Sequence, residues 1–298
     1  MFPERQLGPH RDWNQEVEYL DNIFQDGAAY TIGKVNGDHW LLYITGLDKP
    51  APKVAFPSIP KIQIQRPHTD FTIEILMSDL SSKARQPFFF SDPPSESLDN
   101  VPSSQGTAIS EKIGISQIFP PSSTTLDAYA FRPCGYSSNA LIQWGAKSLK
   151  NGLTHEATNG LTPPESRGEG YYTIHVTPEE GWSYASFECN IPLSCSNSSH
   201  QKGFPDVKSL IRRVVNIFEP GRITLTLFIS TEDDDTETAS AVDVAQRAFK
   251  DALTKCPCLE NQNKTNGMWL EYKRSDKINY EFGGYDLAFA SFELCKRS

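Results

Sequence analysis

Residues 70–76 read DFTIEIL, in which Asp70, Thr72 and Glu74 alternate with Phe71, Ile73 and Ile75. Successive strand side chains point to opposite faces, so this period of two specifies a strand with one dry face and one face carrying two carboxylates and a hydroxyl. The pattern recurs. Within YYTIHVT at 171–177, Tyr172, Ile174 and Val176 share one face while Thr173, His175 and Thr177 share the other. At 184–189, Tyr184, Ser186 and Glu188 oppose Ala185, Phe187 and Cys189. A chain built of such segments buries one side of a sheet and keeps a polar side, whose ordinary use is solvation and whose functional use is an acidic pocket for a small cation.

Further β-rich runs lie at 28–35, 40–45, 125–131, 222–229, 268–273 and 285–293. The first two are joined through Asn36-Gly37, the strongest short hairpin signal. Helical spacing appears three times. Asp12 serves as N-cap with Gln15 three residues on, ahead of Trp13, Val17, Leu20 and Phe24. Residues 206–218 form a second helix, and Val242, Ala245, Phe249 and Leu253 space a third. The order helix then hairpin therefore opens the chain and also closes it, which implies an internal duplication. On this reading residues 1–66 are the remnant of an N-terminal repeat. Residues 67–298 are a complete second repeat, and the expected chain is shortened at its N-terminus. Polar and proline-rich stretches at 48–67, near 92–110, near 146–170 and near 194–203 read as loops.

Composition excludes several classes. With 298 residues the chain can bury roughly three quarters of its unfolded surface. A net charge of −9 argues against nucleic acid and for small or cationic ligands. No apolar run reaches the length of about 18 to 20 residues that spans a bilayer, and the opening FPERQLGPHR lacks a signal-peptide core. Six cysteines without a CxxC framework read as reduced thiols, so the expected location is cytoplasmic. Cys256-Pro257-Cys258 alone lacks the remaining ligands of a metal site, so no metal is expected.

The most specific wording is FRPCGYSSN at 131–139 followed by YYTIHVTPEEGWSYASFE at 171–188. These segments, with PHRDWNQEVEYLDNIF near the start, DFTIEILMSDL at 70–80 and the later ITLTLF, resemble the eukaryotic, fungal-type pyruvoyl-dependent S-adenosylmethionine decarboxylases. The likeness covers nearly the whole chain outside the loops. It implies an α+β fold, a four-layer αββα sandwich of two antiparallel sheets built by duplication, with the first repeat incomplete here. It also implies a covalent pyruvoyl group, made by self-cleavage at a serine, that accepts electrons as carbon dioxide leaves S-adenosylmethionine. The product is the aminopropyl donor for spermidine and spermine synthesis.

Carried over by motif position, Phe131 stacks on the adenine, Glu179 accepts from the ribose hydroxyls, and Ser137 and His175 serve processing and catalysis. Asp70, Thr72, Glu74 and Glu188 form an acidic site that binds putrescine in some members. The family's pyruvoyl-forming serine belongs to an opening segment that this sequence does not match, and Ser95-Glu96-Ser97 in a polar stretch is no substitute. Alone, the chain is expected to be inactive. Two functions follow: an active decarboxylase whose sequence as given lacks its opening segment, or an inactive regulatory paralogue that pairs with a complete decarboxylase. The expected partners are S-adenosylmethionine, putrescine, and a second copy of the chain or a complete decarboxylase. A hydrolase built on Cys134 and His175 lacks any identified oxyanion hole or third group.

Overall fold

A computed structural model describes residues 7–37, 39–45, 70–90, 101–145, 168–195, 203–230, 241–254, 270–282 and 285–295. The stretch 48–67, most of 146–170, both cysteines of the CxC run, and Ser95-Glu96-Ser97 lie outside these residues. Helix α1 (Trp13–Asp21) is followed by hairpin strands β1 (Ala28–Gly33) and β2 (His39–Ile44). Strand β3 (Phe71–Leu80) then leads through the short α2 (Ser82–Arg85) to α3 (Val101–Ile113), β4 (Thr124–Ala130), β5 (Tyr136–Trp144), β6 (Gly168–Thr177) and β7 (Tyr184–Cys189). The chain continues with α4 (Val207–Phe218), β8 (Pro220–Ser230), α5 (Ala241–Thr254), β9 (Tyr272–Phe282) and β10 (Tyr285–Leu294).

Strands β3 to β10 form one eight-stranded sheet in the order β4-β5-β6-β7-β3-β8-β10-β9, and β1-β2 form a separate two-stranded sheet. Every neighbouring pair is antiparallel. The dry faces anticipated for β3, β6 and β7 all point to one side, where Ile73, Ile75, Tyr172, Ile174 and Phe187 are fully buried beneath the helices. Helix α4 turns Val207, Leu210, Ile211, Val214, Val215 and Phe218 inward, and burial of each such side chain stabilises the fold by about 1.5 to 3 kcal/mol. Its start is capped by Asp206, which accepts from the Ser209 amide at 2.7 Å. Arg212 on α4 donates to the carbonyls of Asp251 and Ala252 in the last turn of α5.

On the opposite face the hairpin covers the β8-β10-β9 end. Ile32, Trp40, Leu42 and Ile44 pack against Phe228, Phe282, Leu287 and Phe289, and the Gly33 amide donates to the Tyr280 hydroxyl at 2.9 Å. Helix α1 lies outside the hairpin, where Asp21 accepts from Tyr43 at 2.7 Å. The layers thus run helices, large sheet, small sheet, helix, and the helix-then-hairpin order recurs in α1-β1-β2 and α5-β9-β10.

Three local expectations are corrected. Residues 101–110, read as part of a loop, lie in α3. Polar composition misled because the inward positions carry small or satisfied groups. A Cβ on Gly106 would stand 2.6 Å from the Ala128 carbonyl carbon, and buried Ser110 donates to the Gly106 carbonyl at 2.7 Å while its oxygen lies 2.6 Å from the Tyr136 hydroxyl. The second correction is β5, a sheet strand where only a motif was read. It alternates properly, with Tyr136, Ser138, Ala140 and Ile142 buried, but two of those positions are polar. The third is β9, which runs from Tyr272 rather than ending at Lys273. Among the described residues it is an edge strand with one partner, and its run of charges concealed it.

Candidate functional site

Cross-strand register turns the strand alternation into rows across the wet face. One row joins Tyr129, Ser137, His175 and Ser186 on β4, β5, β6 and β7. The next joins Asn139, Thr173, Glu188, Glu74 and Thr226 on β5, β6, β7, β3 and β8. Two residues along a strand separate the rows, about 7 Å.

The turn before β5 sets the first row. Phe131 donates through its amide to the Gly135 carbonyl at 2.9 Å, and the Gly135 amide donates to the Phe88 carbonyl at 3.0 Å. Gly135 adopts φ +113°, open to glycine at little cost. The Arg132-Pro133 peptide bond is cis, and the Pro133 carbonyl accepts from Phe90 at 2.8 Å. This closed loop leaves Phe131 46% exposed, its ring 4.9 Å from that of Tyr129.

Phe131, Cys134, Ser137, His175, Thr177 and Glu179 line a cleft of about 290 Å³. All four residues expected to act on the nucleoside and in processing therefore share one site. Ser137 Oγ and His175 Nδ1 are hydrogen-bonded at 2.9 Å. Burial raises the Cys134 thiol above its ordinary pKa, and the neighbouring Glu179 carboxylate raises it further. A thiol held protonated, beside a histidine already engaged by Ser137, is poorly arranged as a hydrolase nucleophile.

The acidic residues occupy the second row and its neighbours. Glu74 and Glu188 stand directly opposite each other across β3 and β7. Burial, then repulsion from Glu188, pushes Glu74 up to about 7, partly offset by the Thr226 hydroxyl. Thr226 is itself fully buried, directly opposite Glu74 across β3 and β8. Tyr171 donates to Glu188 at 2.7 Å, and that bond, with burial and Glu188's charge, pushes the phenol to about 12. Thr72 follows on the same face. Asp70 stands four residues from Glu74, about 13 Å along the strand, and accepts from Tyr285 at 2.7 Å. The structure therefore aligns the four on one face but pairs only Glu74 with Glu188. Tyr171, Thr226 and Tyr285 were missed as partners. Parity alone puts Tyr171 beside Thr173 and Thr226 beside Thr224, whereas Tyr285 requires the β8-β10 pairing. Among the described residues no three His, Cys, Asp or Glu side chains cluster as metal ligands, and no helix is long and apolar enough to cross a membrane.

A four-layer α+β sandwich with a serine–histidine cleft beside an acidic row is a recognisable class. Residues 1–293 match the family model described as adenosylmethionine decarboxylase, and the chain belongs to that family. It is 30% identical to the Saccharomyces cerevisiae S-adenosylmethionine decarboxylase proenzyme, over 98% of this chain and 62% of that protein. The proenzymes of Xenopus laevis and Drosophila melanogaster are each 30% identical, with 62% and 65% of their lengths covered. The chain thus spans less than two thirds of these relatives. In fold it is similar to the crystal structure of Trypanosoma brucei AdoMetDC-delta26 monomer, with TM-score 0.51 and 19% identity over 99% of this chain and 81% of that one.

Proposed function

We propose that this chain carries the nucleoside-binding and proton-handling part of an S-adenosylmethionine decarboxylase site. The observation that carries this reading is the single cleft in which the Phe131 ring and Glu179 carboxylate stand beside the 2.9 Å Ser137–His175 pair. At about 290 Å³ the cleft is at the lower end of small-molecule sites, enough for a nucleoside but not for a much larger ligand. Phe131 offers an aromatic face for the base, and Glu179 an acceptor for vicinal hydroxyls.

The remaining groups fit a pyruvoyl chemistry, since a hydroxyl, an imidazole and a thiol raised above its ordinary pKa line the wall and, among the described residues, no lysine or arginine does. A pyruvoyl group supplies an electron sink for the pair left by departing carbon dioxide. His175 and Ser137 share a proton along the Nδ1–Oγ hydrogen bond, which equips the pair to relay a proton while an ester forms or breaks at the family's pyruvoyl-forming serine. The acidic row is read as a site for an organic diamine such as putrescine, held between Glu74 and Glu188. The expected cellular location remains the cytoplasm, where reduced thiols persist.

The test is calorimetric titration with 5′-methylthioadenosine, together with release of carbon dioxide from carboxyl-labelled S-adenosylmethionine by the chain alone and after mixing with a complete decarboxylase. Nucleoside binding that Phe131→Ala weakens supports the reading, and no binding overturns it. Turnover by the chain alone points to an enzyme in its own right. A changed rate only in the mixture points to the regulatory role.

A further inference from the structure

Glu179 stands on a turn between β6 and β7 whose two ends are buried and whose middle is exposed. Pro178 and Ser183 are the buried ends, and Glu179, Glu180, Gly181 and Trp182 are exposed between them. One segment of the chain, the end of β3 with helix α2, grips both ends. The Asp79 and Leu80 amides donate to the carbonyl and hydroxyl of Ser183 at 3.2 and 3.0 Å. Arg85 Nη1 donates to the Pro178 carbonyl at 3.3 Å. Just beyond Arg85, the Phe88 carbonyl and the Phe90 amide hold the loop that carries Phe131. Residues 79–90 are therefore the common support of both elements assigned to the nucleoside.

Within that support, Arg85 governs the direction of Glu179. Proline has no amide hydrogen, so its carbonyl is the only main-chain polar group through which Pro178 can be held. That carbonyl belongs to the planar peptide that leads into Glu179, so fixing it fixes the line along which the Glu179 Cα leaves the strand. Arg85 reaches it at the expense of its own solvation, for Nε is buried and has no partner among the described residues. Orphaned buried donors are rare and call for a reason beyond packing. The guanidinium is always charged, so its bond to the carbonyl is charge-assisted. Lys83, two residues earlier, is by contrast an exposed cation paired with Glu219 at 3.1 Å.

We propose that Arg85 is a positioning residue for Glu179, acting through the Pro178 carbonyl, and that it sets the preference of the cleft for nucleosides with a 2′-hydroxyl. This rests on the reading of Glu179 as the acceptor for the ribose hydroxyls and adds the group that aims it.

Calorimetric titration of the 298-residue chain with 5′-methylthioadenosine and with its 2′-deoxy analogue tests the proposal. The wild type should bind the ribonucleoside at least tenfold more tightly. Arg85→Met should cut that preference to threefold or less while leaving the deoxy analogue within twofold, and Lys83→Met should change neither affinity. Arg85→Gln should behave as Arg85→Met does, and it replaces that variant if the methionine form does not fold. A residue that only supports the fold moves both ligands together. Equal losses for the two ligands, failure of both Arg85 variants to fold, or a Lys83→Met effect matching that of Arg85→Met would therefore overturn the proposal. A preference that Glu179→Gln abolishes and Arg85→Met leaves intact removes only the positioning role. No preference in the wild type removes the Glu179 reading with it.

Discussion

Phe131 and Glu74 show how much a single position depends on what surrounds it. Half exposed on a closed turn, the Phe131 ring costs apolar surface in water unless a planar ligand covers it. Phe131→Ala should therefore cost about 1 to 3 kcal/mol of nucleoside binding, read by calorimetry, with little change in stability. Glu74 is a buried acid facing another acid. Its folded pKa, about 7 against an ordinary 4.5, means that the native state holds the proton more tightly than the unfolded state. Its contribution is fully present below about pH 4.5 and is lost as pH rises through about 7. Relative to Glu74→Gln, the wild type should lose on the order of 2 kcal/mol between pH 5 and pH 8, after allowance for partial exposure. Denaturant melts at the two pH values measure this, and parallel stabilities would refute it. Cation binding at the same carboxylate should strengthen over that window, since only the ionised form attracts an ammonium group. Phe131, Ser137, His175 and Glu179 were legible from motif wording. The identity of Glu188 as the partner of Glu74 was not, because strand parity assigns a face but never a neighbour.

Helix α3 is the element that composition conceals. Its inward residues are glycine and serine, which read as loop, yet Gly106 is what lets the helix approach the β4 backbone. Gly106→Ala gains helix propensity but places a Cβ where backbone already stands. Overpacking of this kind costs about 1 to 3 kcal/mol, and the shift in urea midpoint reports it. An unchanged or raised midpoint would show that the helix can slide away from β4 without loss. Strand β5 was hidden for a related reason. Its buried Tyr136 and Ser138 are polar, and Tyr136 is accommodated because Ser110, from a helix 26 residues earlier, meets its hydroxyl. Strands β3, β6, β7 and β8, and helices α4 and α5, were legible because their periodicity and their burial agree.

Across the whole molecule, the small sheet is joined to the large one by a separate apolar cluster centred on Ile32, Phe282, Leu287 and Phe289. Ile32→Ala removes a fully buried side chain at that junction and should cost about 2 to 5 kcal/mol. Hydrogen exchange should rise first in β1 and β2 if the hairpin opens separately, whereas a uniform rise would show one cooperative unit. By itself the sequence determined the faces of the strands, the amphipathic helices, the hairpin turn at Asn36-Gly37 and the family wording, since each is encoded by residues near one another. Tertiary structure alone decided which strands are neighbours. It also decided that Ser137 meets His175 and that Glu74 meets Glu188. Those relations are set by register between segments as far apart as 114 positions, the separation of Glu74 from Glu188. No local periodicity carries register across that distance.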